Sequence, residues 1–252
     1  MIISHKYKFI FLKPRKVAGT SIEVALAAHC GPEDTITPIT AFSKDIDDVY
    51  YEQDARNYKE SGFYNHMIPS DIQKRISLDV WNEYTKITIV RNPWDRLVSQ
   101  FHWQQSHSLT DSEKGLAKVV NKWKRNMGSV EDIRYNLKKR WRKIVTGGHT
   151  PDNSFEEFVR NIRPKYSNTP FYFDTSGNPI ADMVIKYENL DDGYKQLCDT
   201  IGIPYSALPT LKTKPRKEKP HYSAMYTDDT RDIVAKQFAR EIEYFHYSFE
   251  QQ

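Results

Sequence analysis

The stretch FIFLKPRKVAGTSIEVAL, residues 9–26, sets four apolar residues directly before a basic loop and a helix-forming pattern. This feature restricts the fold most. Phe9 to Leu12 is a short continuous apolar run of the kind that fills a parallel strand buried on both faces. Ile22, Ala25, Leu26 and His29 then recur at helical spacing until Gly31-Pro32 stops the helix. A strand, a loop and a helix that starts at Gly19-Thr20-Ser21 form an anion site, because free N–H groups and the positive helix end converge there. Thr20 and Ser21 add hydroxyl donors, while Lys13, Arg15 and Lys16 add charge. The nucleotide loop G-x-x-x-x-G-K-[ST] is not matched, since no lysine follows Gly19. That order argues against a nucleotide-dependent kinase, in which the lysine serves the terminal phosphates and the hydroxyl serves Mg²⁺. A structural alternative stays open: Gly19 only begins a helix and the lysines are solvated.

The pattern recurs. Ile87 to Val90, in KITIVRNPWDRLVSQFHW, is a second buried-type strand, with Asn92 as N-cap and Pro93 at the first helical position. Arg91 leaves the strand end, where open α/β sheets bind ligands, and Ser99 follows about two helical turns later. A guanidinium and a hydroxyl so placed suit a second phosphate. Met183 to Ile185 is a third strand, followed by a helix that GIP at 202–204 closes. Ser154 and Glu157 form a capping box for a helix through about Ile162. Val234, Phe238, Ile242 and Phe245 mark one face of a long amphipathic helix. Strands alternating with helices give an α/β class: a central parallel sheet flanked by helices. The 252 residues show no repeat or dividing linker and read as a single domain.

Charge is concentrated. Residues 114–143 carry eleven Lys/Arg against two Asp/Glu, and residues 212–219 (KTKPRKEK) carry five against one, within a chain of net charge +4. The rest of the chain is therefore acidic. Two basic segments facing an anion explain this, as do solvated helix faces and a loop. No apolar run reaches the length of a membrane span, and the N-terminal stretch is too short and too charged for a signal peptide. Two cysteines, Cys30 and Cys198, are too few for a disulfide framework, and a cytoplasmic setting is expected.

KPRKVAGTSIE followed by VRNPWDRLVS resembles the paired signatures of sulfotransferases that use 3′-phosphoadenosine 5′-phosphosulfate (PAPS), above all the group of carbohydrate and small bacterial enzymes. VIKYENL, the later GIP and the closing HYSAMYTDDTRDIVAKQFAREIEYFHYSF are similar to that group's C-terminal half, while 104–150 match it poorly. The resemblance implies a P-loop-NTPase-like sulfotransferase fold over residues 1–252. It implies a 5′-phosphosulfate site at Lys16, Gly19, Thr20 and Ser21, and a 3′-phosphate site at Arg91 and Ser99. Arg15 stands where the group more often has proline and adds charge to the first site. Lys214, Arg216 and Lys217, in a basic loop that Pro215 and Pro220 keep from being helical, are expected to close over the nucleotide.

Sulfuryl transfer to a hydroxyl needs charge stabilisation on the leaving phosphate, assigned to Lys16, and a base for the acceptor, assigned to His66 in FYNHMIPSDI. Glu23 and Asp71 are the alternative bases, and a loop histidine bonded to backbone is the alternative reading of His66. Glu188 is expected to order the site or a helix start. Trp94 and Trp81 read as core or as adenine platforms. No metal is required. The expected acceptor is a carbohydrate or other polyhydroxylated small molecule, with 3′,5′-bisphosphoadenosine as the other product. Residues 114–150 read as a basic helical insertion, an acceptor-side lid, or alternatively a nucleic-acid or polyanion-binding surface. Neither membrane nor nucleic acid is an expected partner.

Overall fold

In this computed structural model the described residues are 1–39, 55–105, 154–162, 166–209 and 220–250. Their centre is a five-stranded sheet of β1 (Ile2–Ser4), β2 (Phe9–Leu12), β3 (Thr35–Ile36), β4 (Thr85–Val90) and β5 (Met183–Lys186) in the order β3-β1-β2-β4-β5. β2, β4 and β5 are mutually parallel, with Leu12 opposite Thr88 and Val90 opposite Lys186. These are the three strands whose apolar runs mark them in the sequence. β1 and β3 extend the sheet in antiparallel pairing, so the parallel core lies in a mixed sheet.

Alternation along β2 divides the core in two. Phe9 and Phe11 join Ile87, Ile89 and Ile185 on one face, against helix α1 (Gly19–Ala27) and a later helix that ends at Ile201. Ile10 and Leu12 point to the other face, where Met67, Ile72 and Tyr84 cover them. That second cover includes two short helices, α2 (Pro69–Gln73) and α3 (Leu78–Glu83). A sheet covered on both faces is what continuous apolar strands demand.

After β4 the chain is helical over 93–105 (α4), and Asn92 caps it by accepting the Trp94 N–H at 3.1 Å. Ser154 caps α5 (Phe155–Arg160) as its sequence predicts, accepting the Glu157 N–H at 3.2 Å. α6 (Thr169–Tyr172) precedes β5, and α7 (Leu190–Ile201) ends on Gly202 in the left-handed region at φ 73°. The amphipathic face near the C-terminus is divided between two helices, α8 (Asp228–Gln237) and α9 (Ala239–Phe245). Phe238, at φ −112° and ψ 22°, breaks the expected single helix, yet its backbone still bonds to Val234 and Ile242. The apolar spacing therefore runs through the break. No helix of the described residues is long and apolar enough to cross a membrane.

Candidate active site

β2 and β4 are adjacent and parallel, so the loops that leave them emerge at one edge of the sheet. The first loop, residues 13–18, leads into α1, which starts with no side-chain cap and no acidic residue in its first turn. A helix start of this kind, with neither a cap nor an acid of its own, suits an anionic ligand. Lys16 and Ala18 hold left-handed backbone, φ 63° and 59°, and His66 does so at 61°. Positive φ in non-glycine residues stores strain, and half of the six such residues among those described lie here.

The loop's two kinds of positive charge have separate duties. Lys13 is buried, and its ammonium pairs with the buried Glu23 carboxylate, which also accepts from the amino group of Met1. Burial raises the Glu23 pKa, but the Met1 amine and Lys13 outweigh it and hold the carboxylate below its ordinary value. Lys13 is therefore internal scaffolding, contrary to its reading as ligand-facing charge. Its stem also explains Gly19: a Cβ there would lie 3.0 Å from Lys13 Cγ. Glu23, ion-paired and sealed, is unsuited to the part of acceptor base. Lys16 points instead toward α4, its ammonium 5.8 Å from the Trp103 ring centroid. Trp103 is 44% exposed.

Arg91 joins the two motifs. Its guanidinium donates to the Lys16 carbonyl at 3.0 Å, pairs with Asp95 at 2.7 Å and lies 3.9 Å from the centre of the Tyr187 ring. Ser99 lies one turn beyond Asp95 on α4 and is half-buried. Glu188 accepts the Asn92 N–H at 2.7 Å and the Tyr247 hydroxyl at 3.0 Å, so it orders the start of α4 as expected. Trp94 is core: 3% exposed, with its indole N–H on the Arg231 carbonyl at 3.1 Å. Trp81 packs against the second core.

His66 is bound to the first loop. Its Nδ1 lies 2.9 Å from the Lys13 carbonyl, and since a carbonyl only accepts, Nδ1 carries the proton and Nε2 keeps its lone pair. Burial, then the charges of Lys13 and Arg15, lower its pKa to about 4, so the imidazole is neutral at physiological pH. Asp71, on α2, is engaged with Lys74 at 3.1 Å.

Sequence reasoning missed Asn168. Fully buried, it accepts the Arg15 N–H at 3.1 Å and donates to the Arg15 carbonyl at 2.9 Å. No local signal marks an asparagine 153 positions from its partner. Asp95 and Tyr187 were likewise unmarked. Lys214, Arg216, Lys217 and the segment 114–150 lie outside the described residues. Among the described residues no group of three or more His, Cys, Asp or Glu is placed to hold a metal ion.

A family model described as the sulfotransferase family matches residues 1–248. Among solved structures, a sulfotransferase from Alicyclobacillus acidocaldarius is similar at 15% identity over 96% of each chain, with a TM-score of 0.37. No curated protein matches.

Proposed function

The chain belongs to the sulfotransferase family, and from that premise we propose that it moves the sulfuryl group of PAPS to a hydroxyl of a carbohydrate or similar polyhydroxylated acceptor. One observation carries the donor assignment: Arg91, from the second motif, donates to the Lys16 carbonyl of the first at 3.0 Å. Two anion-suited elements thereby share one edge of the sheet, as a donor with phosphates at both ends of a ribose needs. An uncapped helix start with no acid in its first turn fits the 5′-phosphosulfate.

PAPS supplies an activated sulfuryl group on a phosphate leaving group. Lys16, with the N–H groups at the start of α1, stabilises charge on the leaving phosphate, aided by Arg15. Thr20 and Ser21 lie in that first turn and add hydroxyl donors. Arg91 and Ser99 receive the 3′-phosphate, which takes over from Asp95 as the partner of the Arg91 guanidinium. Lys214, Arg216 and Lys217 supply further positive charge for the nucleotide. His66 Nε2 takes the acceptor hydroxyl's proton as oxygen bonds to sulfur and the S–O bond to phosphate breaks. A base of pKa about 4 is weak, but an anion beside Lys13 and Arg15 cancels part of the charge that lowers it, so ligand binding raises its basicity.

The test is transfer of radiolabelled sulfate from PAPS to a panel of glycans and simple polyols, with the parent and Lys16→Ala side by side. Label appearing on an acceptor with the parent, and falling about 10²-fold with the variant, supports the reading. Absence of any transfer, with no binding of 3′,5′-bisphosphoadenosine, overturns it.

A further inference from the structure

The first loop is aimed through its carbonyls. A trans peptide points its C=O and its N–H in opposite directions, so whatever holds the carbonyl of one residue aims the N–H of the next. Arg91 holds the Lys16 carbonyl at 3.0 Å and so directs the Val17 N–H. Asn168 holds the Arg15 carbonyl at 2.9 Å and so directs the Lys16 N–H. The Asn168 amide cannot be turned over, because its oxygen already accepts the Arg15 N–H at 3.1 Å.

We propose that Asn168 is a positioning residue for the 5′-phosphosulfate loop, a clamp that sets the direction of the Lys16 backbone donor and side chain. The inference rests on the donor assignment above. Asn168 is itself fixed from several sides. Its Nδ2 lies 3.4 Å from the Tyr172 hydroxyl, which donates to the Ile89 carbonyl of β4 at 3.2 Å. Next to it, Thr169 donates to the buried Glu241 carboxylate at 2.6 Å. Two residues before it, the Tyr166 carbonyl accepts from the buried Arg96 of α4 at 2.8 Å. The strap that carries Asn168 is therefore tied to β4, α4 and α9, and passes their positions to a loop whose Lys16 sits at an unfavourable φ of 63°.

The clamp acts on one end of the nucleotide, which separates it from a general role in folding. Dissociation constants of 3′,5′-bisphosphoadenosine, 5′-AMP and 3′-AMP are measured for the parent, Asn168→Ala and Asn168→Asp, with melting temperatures alongside. Asn168→Asp keeps the volume and the acceptor but sets a carboxylate oxygen against the Arg15 carbonyl. In both variants the Arg15 carbonyl loses its donor, so the two ligands with a 5′-phosphate weaken about tenfold, while 3′-AMP keeps its affinity. Unchanged affinities, equal weakening of all three ligands, or failure of both variants to fold would assign Asn168 to the fold alone and overturn the proposal. A parent that binds none of the three overturns the donor assignment, and the clamp with it.

Discussion

A histidine with one ring nitrogen committed to a carbonyl has one chemistry left. Nδ1–H of His66 is spent on Lys13, so only Nε2 is open to a proton. His66→Ala is expected to lower turnover by about 10² to 10⁴ while 3′,5′-bisphosphoadenosine binds as in the parent. In the role proposed for His66 the neutral ring is the active form, so activity should fall as pH falls through its pKa. For the free enzyme that limb, read in kcat/KM, lies near pH 4, well below where an ordinary histidine titrates. A limb at pH 6.5 that survives in His66→Ala belongs to another group. Stability follows the same sign. A pKa of about 4 in the fold, lowered from 6.5, gives a contribution present above pH 6.5 and lost as pH falls toward 4. The stability gap between the parent and His66→Asn should narrow across that window, and a gap independent of pH would remove the burial argument. The role proposed for Lys16, by contrast, concerns charge that develops only during transfer. Its removal should cost about 10²-fold or more in turnover and less in nucleotide affinity, because the backbone donors stay.

Among elements, legibility followed how much of a signal is local. Phe9 to Leu12 and Ile87 to Val90 could be read because a parallel strand covered on both faces needs consecutive apolar residues. Met183 to Ile185 showed the same run, although β5 lies at the sheet edge with Val184 exposed. β1 and β3 could not, for they span three and two residues and owe their form to pairing with β2 and with each other. The break at Phe238 was hidden because the 3.6-residue spacing continues across it. In the site, the motif residues were visible as charges beside strand ends, while their supports were not. The Lys13–Glu23 pair and the Asn168 clamp depend on burial, which one residue's identity does not announce. Glu188 lies between these cases, legible as an ordering residue but not as the partner of the Asn92 N–H. Replacing it leaves that N–H at the start of α4 without its acceptor, and Asn92 is only 4% exposed. Glu188→Ala should therefore cost about 1–3 kcal/mol in denaturant unfolding. It should also weaken 3′,5′-bisphosphoadenosine, since Arg91 adjoins Asn92. Unchanged stability would mean that water replaces the carboxylate without loss.

For the whole molecule the question is what its uneven charge is for. A chain of net charge +4 concentrates its cations in 114–143 and 212–219, and the structure adds Arg15, Lys16 and Arg91 at one edge of the sheet. The ligand proposed for that edge carries anionic groups at two ends, and binding measurements test both. Ligand that binds only the folded chain stabilises it by about 2.7 kcal/mol at one hundred times its dissociation constant. At about 2–4 °C per kcal/mol for a domain of this size, that is a rise in melting temperature of roughly 5–11 °C. 3′,5′-bisphosphoadenosine should give such a rise without Mg²⁺. At the same concentration 5′-AMP should give a smaller one, because Arg91 and Ser99 have no phosphate to receive. In Arg91→Ala the two ligands should converge: 5′-AMP weakens only through the freed Lys16 carbonyl, while the bisphosphate loses more because the partner of its 3′-phosphate goes as well. Bound nucleotide should also protect the basic loop from cleavage at Lys214 to Lys219 if that loop closes over it. Stabilisation by ATP with Mg²⁺ alone would point to phosphoryl transfer. Equal losses for both ligands in Arg91→Ala would instead make Arg91 a brace for the Lys16 loop, holding the 5′ end and reading no 3′-phosphate.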